Sequence, residues 1–394
     1  MPFSPLENRR YLGLEIKNGD KGSFKVVWQQ SEYPPFQPYI IDEEMVRKDA
    51  EEIRRRLDQL VDAVMKDPSA PFGAQLKELA RAGRELYNDL FEGELGSQAD
   101  PKAVRNWLRE KVEPHRLYVV VDSYVHVPWG LVFDGHPEQI PDGASDIDSF
   151  KDFWCLKFLL GSTYKGLDPS TAAQGERSNA CRLVPVVHKE EYELSKWKDD
   201  DPEGLTFGKI LEEHGGCISD LKGLVNAWST ATQVNKILFF YCHANGTTLA
   251  INSTESISSE DLKRKLRSQE SRRGASVALT FLNGCSTAVG KGDSKGFIEA
   301  TTREGFCGFI GTETDIPNVY ALRFGAAFVH GLLVTGWPVL DVMDAMRKLH
   351  WPLSLLYQIY GSSTFRVVRP KVAADWPTAS TPNFSHGPIG AKSL

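Results

Sequence analysis

The sequence predicts an α/β protein in which a mainly parallel central sheet is flanked by helices and preceded by an N-terminal hairpin and helices. Three observations support this fold class. Apolar strand-like segments alternate with helical segments from residue 182 to residue 349. These strands are apolar along their whole length, which is typical of strands that are buried on both faces of a parallel sheet. The N-terminal part instead alternates apolar and polar residues around a glycine-rich turn, which is the pattern of a hairpin.

The periodicity of the residues predicts each element along the chain. Residues 11–29 predict the hairpin, and the proline-rich stretch 31–39 ends it. Apolar residues at helical spacing, with charges between them, predict helices over 42–66 and 72–91, and a strand follows over 116–122. The alternating part then predicts four strands and five helices, with the strands over 182–188, 236–242, 276–282 and 306–312 and the helices around 219–232, 259–268, 295–304, 317–334 and 339–349.

Three regions are expected along the chain. They are an N-terminal hairpin and helical region over 1–79, a main domain over 80–370 and a polar C-terminal tail over 371–394. A hydrophobic fraction of 41% in 394 residues is typical of a globular protein rather than a disordered one. The formal charge of -6 gives no general attraction to nucleic acids or anionic membranes, so neither is an expected partner.

The cysteines and the apolar runs indicate the compartment. Six cysteines occur without a C-x-x-C pair, so a zinc ribbon and a disulfide scaffold are both disfavoured. The N-terminus lacks the apolar core of a signal peptide, and the most apolar run, 324–340, is interrupted by a histidine and a proline. We therefore expect a cytoplasmic protein with reduced thiols and no cofactor or metal.

Two successive strands of the predicted sheet end in residues with catalytic chemistry. The segment "KILFFYCHANG" places His243 directly after one strand, and "SVALTFLNGCSTAVG" places Cys285 after the next. Parallel strands joined through one helix end at the same edge of a sheet, where open α/β sheets bind their ligands. An imidazole beside a thiol accepts its proton or stabilises the thiolate. The pair therefore predicts a nucleophilic cysteine that is activated by a histidine, as in a cysteine peptidase.

Acyl transfer also needs hydrogen-bond donors for the oxyanion that develops on the attacked carbonyl. The backbone N–H of Cys285, which follows the flexible Gly284, is one candidate. A second is an N–H from the turn that runs from Ala244 to Gly246. The sequence therefore contains every part that the reaction requires.

Other interpretations of Cys285 remain open on the residues alone. A cysteine after a strand is often a small buried apolar side chain. The segment 284–291 also resembles a phosphate-binding loop, but it has five rather than four residues between its glycines, and Gly292 stands where the magnesium ligand would be. The phosphate loop is therefore disfavoured, and the coincidence of Cys285 with His243 favours the nucleophile over the core side chain.

Two further cysteines lie close to the predicted site in the sequence. Adjacent strand residues point to opposite faces, so Cys242 is expected to point away from the His243 side chain and into the core. Cys307 lies inside the following strand and is expected to be a core residue as well.

Five ordered segments resemble the CHAT family, the caspase-like peptidases of clan CD that are related to separase and caspases. The resemblance covers about residues 80–368. It rests on "LYVVVDSYVHVPWGLVFDG" (117–135), "FFYCHANG" (239–246), "LTFLNGCSTAVG" (279–290), the long segment 308–348 and the closing "PLSLLYQIYGSS" (352–363). The histidine, cysteine and post-cysteine segments are specific in combination, whereas either catalytic motif alone is a weak signal.

The resemblance implies a caspase-like sandwich and a cysteine endopeptidase with His243 as general base and acid and Cys285 as nucleophile. It also implies a specific protein substrate, a regulated pathway of bacterial defence or signalling, and activation by a partner protein or complex. The chain departs from the family in having Ala244 where a glycine often follows the histidine. The 80-odd residues in front are too few for the helical repeats of many members, so the sensing module is expected to be another chain or a small N-terminal device.

The resemblance also suggests a pocket for the residue that precedes the cleaved bond. In the clan, the loop after the strand that follows the nucleophile builds part of this pocket, and here it corresponds to "TETDIPN" (312–318). Glu313 and Asp315 of this loop would pair with a substrate arginine or lysine. The alternative is that Asp315 caps the next helix, with Pro317 near its first turn.

Two function classes compete with the peptidase. One is a catalytically silent caspase-like scaffold or protein-binding module, and the other is a cysteine-dependent acyltransferase or amidase that uses the same dyad on a small molecule. Both dyad residues are present, which a silent scaffold would not require. The sequence therefore favours the enzyme.

Overall fold

The computed structural model describes residues 10–18, 22–30, 38–67, 71–92, 101–110, 117–123, 126–164, 181–195, 202–230, 235–267, 278–289, 296–301 and 306–361, together with Phe365 and Val367. The predicted polar tail, 371–394, lies outside the described residues, as does most of the proline-rich stretch.

Within these ranges, ten strands form one sheet and three short strands form a second. In chain order the strands are β1 (Arg10–Asn18), β2 (Ser23–Gln30), β3 (Tyr39–Asp42), β4 (Leu117–Ser123), β5 (Leu159–Tyr164), β6 (Cys181–Val187), β7 (Asn235–Tyr241), β8 (His243–Ala244), β9 (Thr248–Ala250), β10 (Ser256–Ser258), β11 (Ala278–Asn283), β12 (Phe306–Thr312) and β13 (Tyr357–Gly361). The large sheet has the order β3-β2-β1-β4-β5-β13-β12-β11-β7-β6, and the small one has the order β10-β9-β8.

The described helices surround the large sheet. They are α1 (Glu43–Lys66), α2 (Gly73–Glu92), α3 (Pro101–Glu110), α4 (Trp154–Lys157), α5 (Lys189–Ser195), α6 (Pro202–Glu213), α7 (Leu221–Ser229), α8 (Ser259–Arg267), α9 (Gly296–Thr301), α10 (Asn318–His330) and α11 (Val339–Leu349). The Asp42 carboxylate begins α1 as its N-cap, because it accepts hydrogen bonds from the amides of Glu44 and Met45 at 2.7 and 3.0 Å.

The central strands are buried on both faces, as their uninterrupted apolar character predicts. In β7, Ile237 and Phe239 belong to the main hydrophobic core, whereas Leu238 and Phe240 belong to a second core. Alternate residues of a strand point to opposite faces, so the two cores lie on the two sides of the sheet. This arrangement confirms the predicted α/β class with a mostly parallel sheet between helices.

The N-terminal region is joined to the main domain by the sheet itself. The predicted hairpin forms, since β1 pairs antiparallel with β2, and β1 also pairs in parallel with β4. The predicted boundary at residue 79 falls inside α2. Sequence periodicity did not foresee this pairing, because a strand's pattern reports the burial of its faces and not the neighbour that it pairs with.

Three further features differ from the sequence-based expectation. Strand β13 is antiparallel to β12 but parallel to β5, so the strand direction reverses once between two parallel groups of the large sheet. The segment after His243 forms β8, β9 and β10, which the sequence analysis did not predict as strands. Helix α10 ends at His330, and the chain continues as one π-helical turn over Gly331–Thr335. Gly336, the next residue, has a φ of 69°.

Candidate functional site

The two predicted catalytic residues leave neighbouring parallel strands at the same level. Strands β7 and β11 are paired directly, with Tyr241 opposite Asn283 in the register. His243 and Cys285 each follow two residues later. The structure therefore brings both residues to one edge of the sheet, as their positions in the sequence predicted.

The two segments that follow these strands are in direct contact. A β-carbon added to Gly284 would lie 2.4 Å from the carbonyl oxygen of Cys242 and 3.2 Å from the β-carbon of Ala244. Real β-carbons do not approach other atoms as closely as 2.4 Å. Gly284 is therefore required here by lack of space, because the backbone before Cys285 packs against the backbone around His243.

The Cys285 thiol is partly buried against the main core. Its Sγ lies 3.9 Å from the carbonyl oxygen of Ile316. Burial raises the pKa of the Cys285 thiol, and the negative charge of nearby Asp315 acts in the same direction. The thiol is thus protonated at neutral pH unless a base takes its proton.

The His243 side chain is 51% exposed and is held from the side of β6. Its Nε2 lies 2.8 Å from Oε1 of Glu191, in helix α5 directly after that strand. The ring also packs edge-on against buried His188, with 5.6 Å between ring centroids. Among the described residues, no hydrogen bond joins His243 to Cys285, so the two residues share one edge of the sheet without a direct bond.

Glu191 is a site residue that the sequence analysis missed. Its second carboxylate oxygen accepts a hydrogen bond from the side-chain amide of Asn318, at the start of α10. Glu191 and Asn318 also line a cavity beside Cys285 of about 10 Å³, which has room for one water molecule at most. The signal that could have found Glu191 is its position after β6, the strand next to β7 in the sheet.

The proposed oxyanion donors lie around the contact between the two segments. Ala244 is in β8, and Gly246 has a φ of 83°, which favours glycine. Gly284 is buried next to them. The amides of Ser286 and Ala288 already donate to the carbonyls of Thr314 and Thr312, so they are engaged elsewhere.

The two carboxylates of the predicted substrate pocket have different environments. Glu313 is 1% exposed, and its oxygens accept hydrogen bonds from Arg54 at 2.9 Å and from the hydroxyl of Tyr360 at 2.5 Å. This closed internal pair does not favour a role for Glu313 in binding a substrate. Asp315 is exposed and accepts a hydrogen bond from the hydroxyl of Ser286 at 3.0 Å.

Asp315 faces other acidic groups and does not cap the following helix. Helix α10 has Pro317 at its N-cap position without a side-chain hydrogen bond, so the alternative role for Asp315 is not observed. Asp58 of α1 lies near enough for their charges to interact. Burial, followed by the charges of Asp315 and Asp62, raises the pKa of Asp58 to about 6. The surface beside Cys285 is therefore acidic.

Cys242 and Cys307 are core residues, as predicted. Cys242 is 6% exposed and packs in the second core, opposite the side on which Cys285 lies. Cys307 is 1% exposed in β12. Burial raises the pKa of both thiols strongly, so neither competes as a nucleophile.

Two features are absent from the described part of the chain. No group of three or more His, Cys, Asp or Glu side chains within it is arranged to hold a metal ion. None of the described helices combines the length and the apolar character that crossing a bilayer requires.

The sequence matches no protein-family model and no curated protein. Among solved structures, a chain of the Saccharomyces cerevisiae separase–securin complex at 3.0 Å aligns with a TM-score of 0.51 and 11% identity, covering 90% of this chain and 30% of that chain. A structure described as a protease gives 0.43 and 11%, covering 81% and 77%. A second separase–securin structure, at 2.6 Å, gives 0.40 and 12%, covering 89% and 30%. This chain thus spans less than a third of the separase-complex chains that it matches.

Identities this low show a shared fold and carry no information about activity. The separase-complex chain with a TM-score of 0.51 shows the shared fold over nine-tenths of this chain. The protein therefore has the mixed α/β fold of that structure, with a central, mostly parallel sheet between helices.

Proposed function

We propose that the protein is a cysteine endopeptidase of the CHAT type that cleaves a specific partner protein with His243 and Cys285. The observation that carries the proposal is the register of β7 and β11, which delivers both residues to one edge of the sheet two positions after paired residues. The contact at Gly284 between the two following segments supports it further. The resemblance adds a cytoplasmic role in bacterial defence or signalling, under the control of an activating protein.

The reaction would proceed by acyl transfer. His243 takes the proton from Cys285 Sγ, and the thiolate attacks the carbonyl carbon of the scissile peptide bond. Backbone amides at Cys285 and in the turn Ala244–Gly246 stabilise the oxyanion. The imidazolium then gives its proton to the leaving amine, and water hydrolyses the thioester to release the second product.

Glu191 fits a positioning role in this mechanism. Its carboxylate lies 2.8 Å from Nε2 of His243, so Nδ1 is the nitrogen that would accept the thiol proton. A carboxylate in this position fixes the orientation of the ring and stabilises the imidazolium that forms during the reaction. In the structure the thiol contacts the carbonyl oxygen of Ile316 and makes no hydrogen bond to His243, so the two side chains must come together before proton transfer.

The acidic surface supports a preference for arginine or lysine before the cleaved bond. Asp315 is hydrogen-bonded to Ser286, which is the residue directly after the nucleophile, and Asp58 adds a second negative charge near Asp315. A cationic side chain placed there would gain charge-assisted hydrogen bonds. The test is the identity of the residue before the cut, and a small or apolar residue in that position would remove this part of the proposal.

A catalytically silent scaffold is the second candidate function. The observation that favours it is the state of the site, in which burial raises the pKa of Cys285 and its thiol contacts a carbonyl instead of the imidazole. Such a protein would bind the same partner without cleaving it.

A cleavage assay distinguishes the two functions. Wild type, Cys285→Ala and His243→Ala are incubated with the products of neighbouring genes, and fragments are identified by mass spectrometry. Cys217→Ala is the matched control, because Cys217 is an exposed thiol outside the site. The peptidase predicts fragments with wild type and Cys217→Ala only. Fragments that persist in both dyad variants would exclude catalysis by the dyad. Binding of the partner protein without fragments in any variant, even with the activator present, supports the scaffold.

A further inference from the structure

The loop that carries the nucleophile is folded against a second segment of the chain. We call residues 284–288 the nucleophile loop and residues 312–316 the template segment. Ser286 donates its amide to the carbonyl of Thr314 at 3.0 Å, and Ala288 donates to the carbonyl of Thr312 at 2.9 Å. These backbone bonds set the path of the nucleophile loop along the template segment.

Side chains add further contacts between the same two segments, among them the following. The Thr312 hydroxyl donates to the carbonyl of Gly284. The Ser286 hydroxyl donates to Asp315 at 3.0 Å, and the Cys285 thiol faces the carbonyl of Ile316 at 3.9 Å. The position of the thiol therefore depends on the position of the template segment.

Ser286 shows that this fit is tightly determined. It has a φ of 51°, and no other residue except glycine has a positive φ in the described part of the chain. A residue with a side chain is unfavourable in this left-handed conformation, which persists only where the surroundings hold it. Here both the amide and the hydroxyl of Ser286 are held by the template segment.

The template segment is in turn anchored by the buried Glu313. Its amide donates to the carbonyl of Leu356 at 3.0 Å, and its carboxylate accepts from Tyr360. Its only ion-pair partner among the described residues is Arg54 of α1, 259 positions earlier in the chain. Arg54 also donates to the carbonyl of His126 at 2.9 Å, so two hydrogen bonds fix its guanidinium.

We propose that Arg54 is a positioning residue for Cys285, and that it acts through Glu313 and the template segment. Calling Cys285 a nucleophile rests on the proposed function, but the mechanical coupling does not. A buried carboxylate that loses its ionic partner is strongly unfavourable and has to move or recruit water. Because Glu313 lies between Thr312 and Thr314, its movement displaces the carbonyls that hold the nucleophile loop. Helix α1 of the N-terminal region is thus part of the active-site architecture.

Amide hydrogen exchange measures this coupling directly. The readout is the exchange rate of a peptide that contains Ser286 and Ala288, compared with a peptide from α2. In Arg54→Met we expect exchange in the nucleophile loop to rise by about tenfold or more, because breaking a buried ion pair from one side is costly. Arg55→Met is the matched control; Arg55 pairs with Glu52 on the exposed side of the same helix, so we expect a change within about twofold.

A charge-neutral double variant separates coupling from general loss of stability. Arg54→Met combined with Glu313→Gln removes both charges and keeps an acceptor for the Tyr360 hydroxyl, so exchange should return to within about threefold of wild type. Arg54→Lys keeps the positive charge but lacks the guanidinium that reaches both Glu313 and the carbonyl of His126. We expect an intermediate rate of amide exchange in the nucleophile loop. If Arg54→Met does not fold, the exchange rates of these two variants are compared with wild type, and Arg54→Lys should exchange faster than the double variant.

Two results would overturn the proposal. One is equal exchange of the nucleophile loop in Arg54→Met and Arg55→Met, and the other is a rise that is equally large in α2. Neither measurement requires cleavage of a substrate, so a negative peptidase assay leaves the test intact. Unchanged exchange in an active enzyme would reject the coupling and leave the proposed function standing.

Discussion

Gly284→Ala tests whether the backbone contact between the two catalytic segments is essential. The added methyl would lie 2.4 Å from the carbonyl oxygen of Cys242. An ordinary van der Waals contact begins near 3.4 Å, so one segment has to retreat by about 1 Å. Both sides of the contact are backbone, which cannot rotate away as a flexible side chain does.

The magnitude follows from the packing. Inserting a methyl into a filled site typically costs about 1–3 kcal/mol, and here we expect the upper part of that range. A shift of about 1 Å between a catalytic base and its nucleophile lowers the rate by about a hundredfold. We therefore expect Gly284→Ala to lower both the free energy of unfolding and the His243-dependent reactivity of Cys285.

The assay combines urea unfolding with the rate at which iodoacetamide alkylates Cys285, resolved by peptide mass spectrometry. Gly208→Ala is the matched control, because a β-carbon there meets nothing within 4 Å and Gly208 lies inside helix α6. We expect it to stabilise the protein by about 0.5–1 kcal/mol and to leave Cys285 unchanged. Equal stability and equal alkylation rates in Gly284→Ala and wild type would refute the reasoning.

Two further predictions concern a positioning residue and a buried acid. Glu191→Ala should slow any His243-dependent reaction of Cys285 by up to about fivefold, since an ion pair to a half-exposed histidine is worth at most about 1 kcal/mol; an unchanged rate and pH profile would contradict it. Burial, with the hydrogen bond and charge of Asp89, raises the pKa of Asp49 from 3.8 to about 7. The folded state thus favours the protonated Asp49 carboxyl. Its contribution to the free energy of unfolding is complete below pH 3.8 and is lost as the pH rises through 7. Asp49→Asn should therefore stabilise the protein by about 1 kcal/mol at pH 8, after allowing for solvent screening, and by much less at pH 5; equal effects on the melting temperature at both pH values would count against it.

Much of the fold could be predicted because burial leaves a periodic record in the sequence. The strands β7, β11 and β12 are buried along their whole length, and their uninterrupted apolar residues predict them to within about two positions. The pairing of β1 with β4 could not be predicted in the same way, because nothing in an alternating pattern specifies a partner more than 100 positions away. The same limit hid the antiparallel pairing of β13 with β12.

The candidate site was also only partly predictable from the sequence. His243 and Cys285 are recognisable because each directly follows a strand, and strand ends in a parallel sheet share an edge. Glu191 also follows a strand, but a glutamate at the start of a helix is ordinary enough to pass unnoticed. The pairing of Glu313 with Arg54 crosses 259 positions, so only the structure shows that this carboxylate faces inward, unlike its neighbour Asp315.

The central claim is that His243 activates Cys285, and the pH dependence of Cys285 alkylation tests it most directly. Burial raises the pKa of the isolated thiol, so without a base it should react appreciably only at high pH. Wild type is predicted to show additional reactivity between about pH 6 and 8, about tenfold or more above that of His243→Ala. Superimposable profiles for wild type and His243→Ala across this range would contradict the dyad.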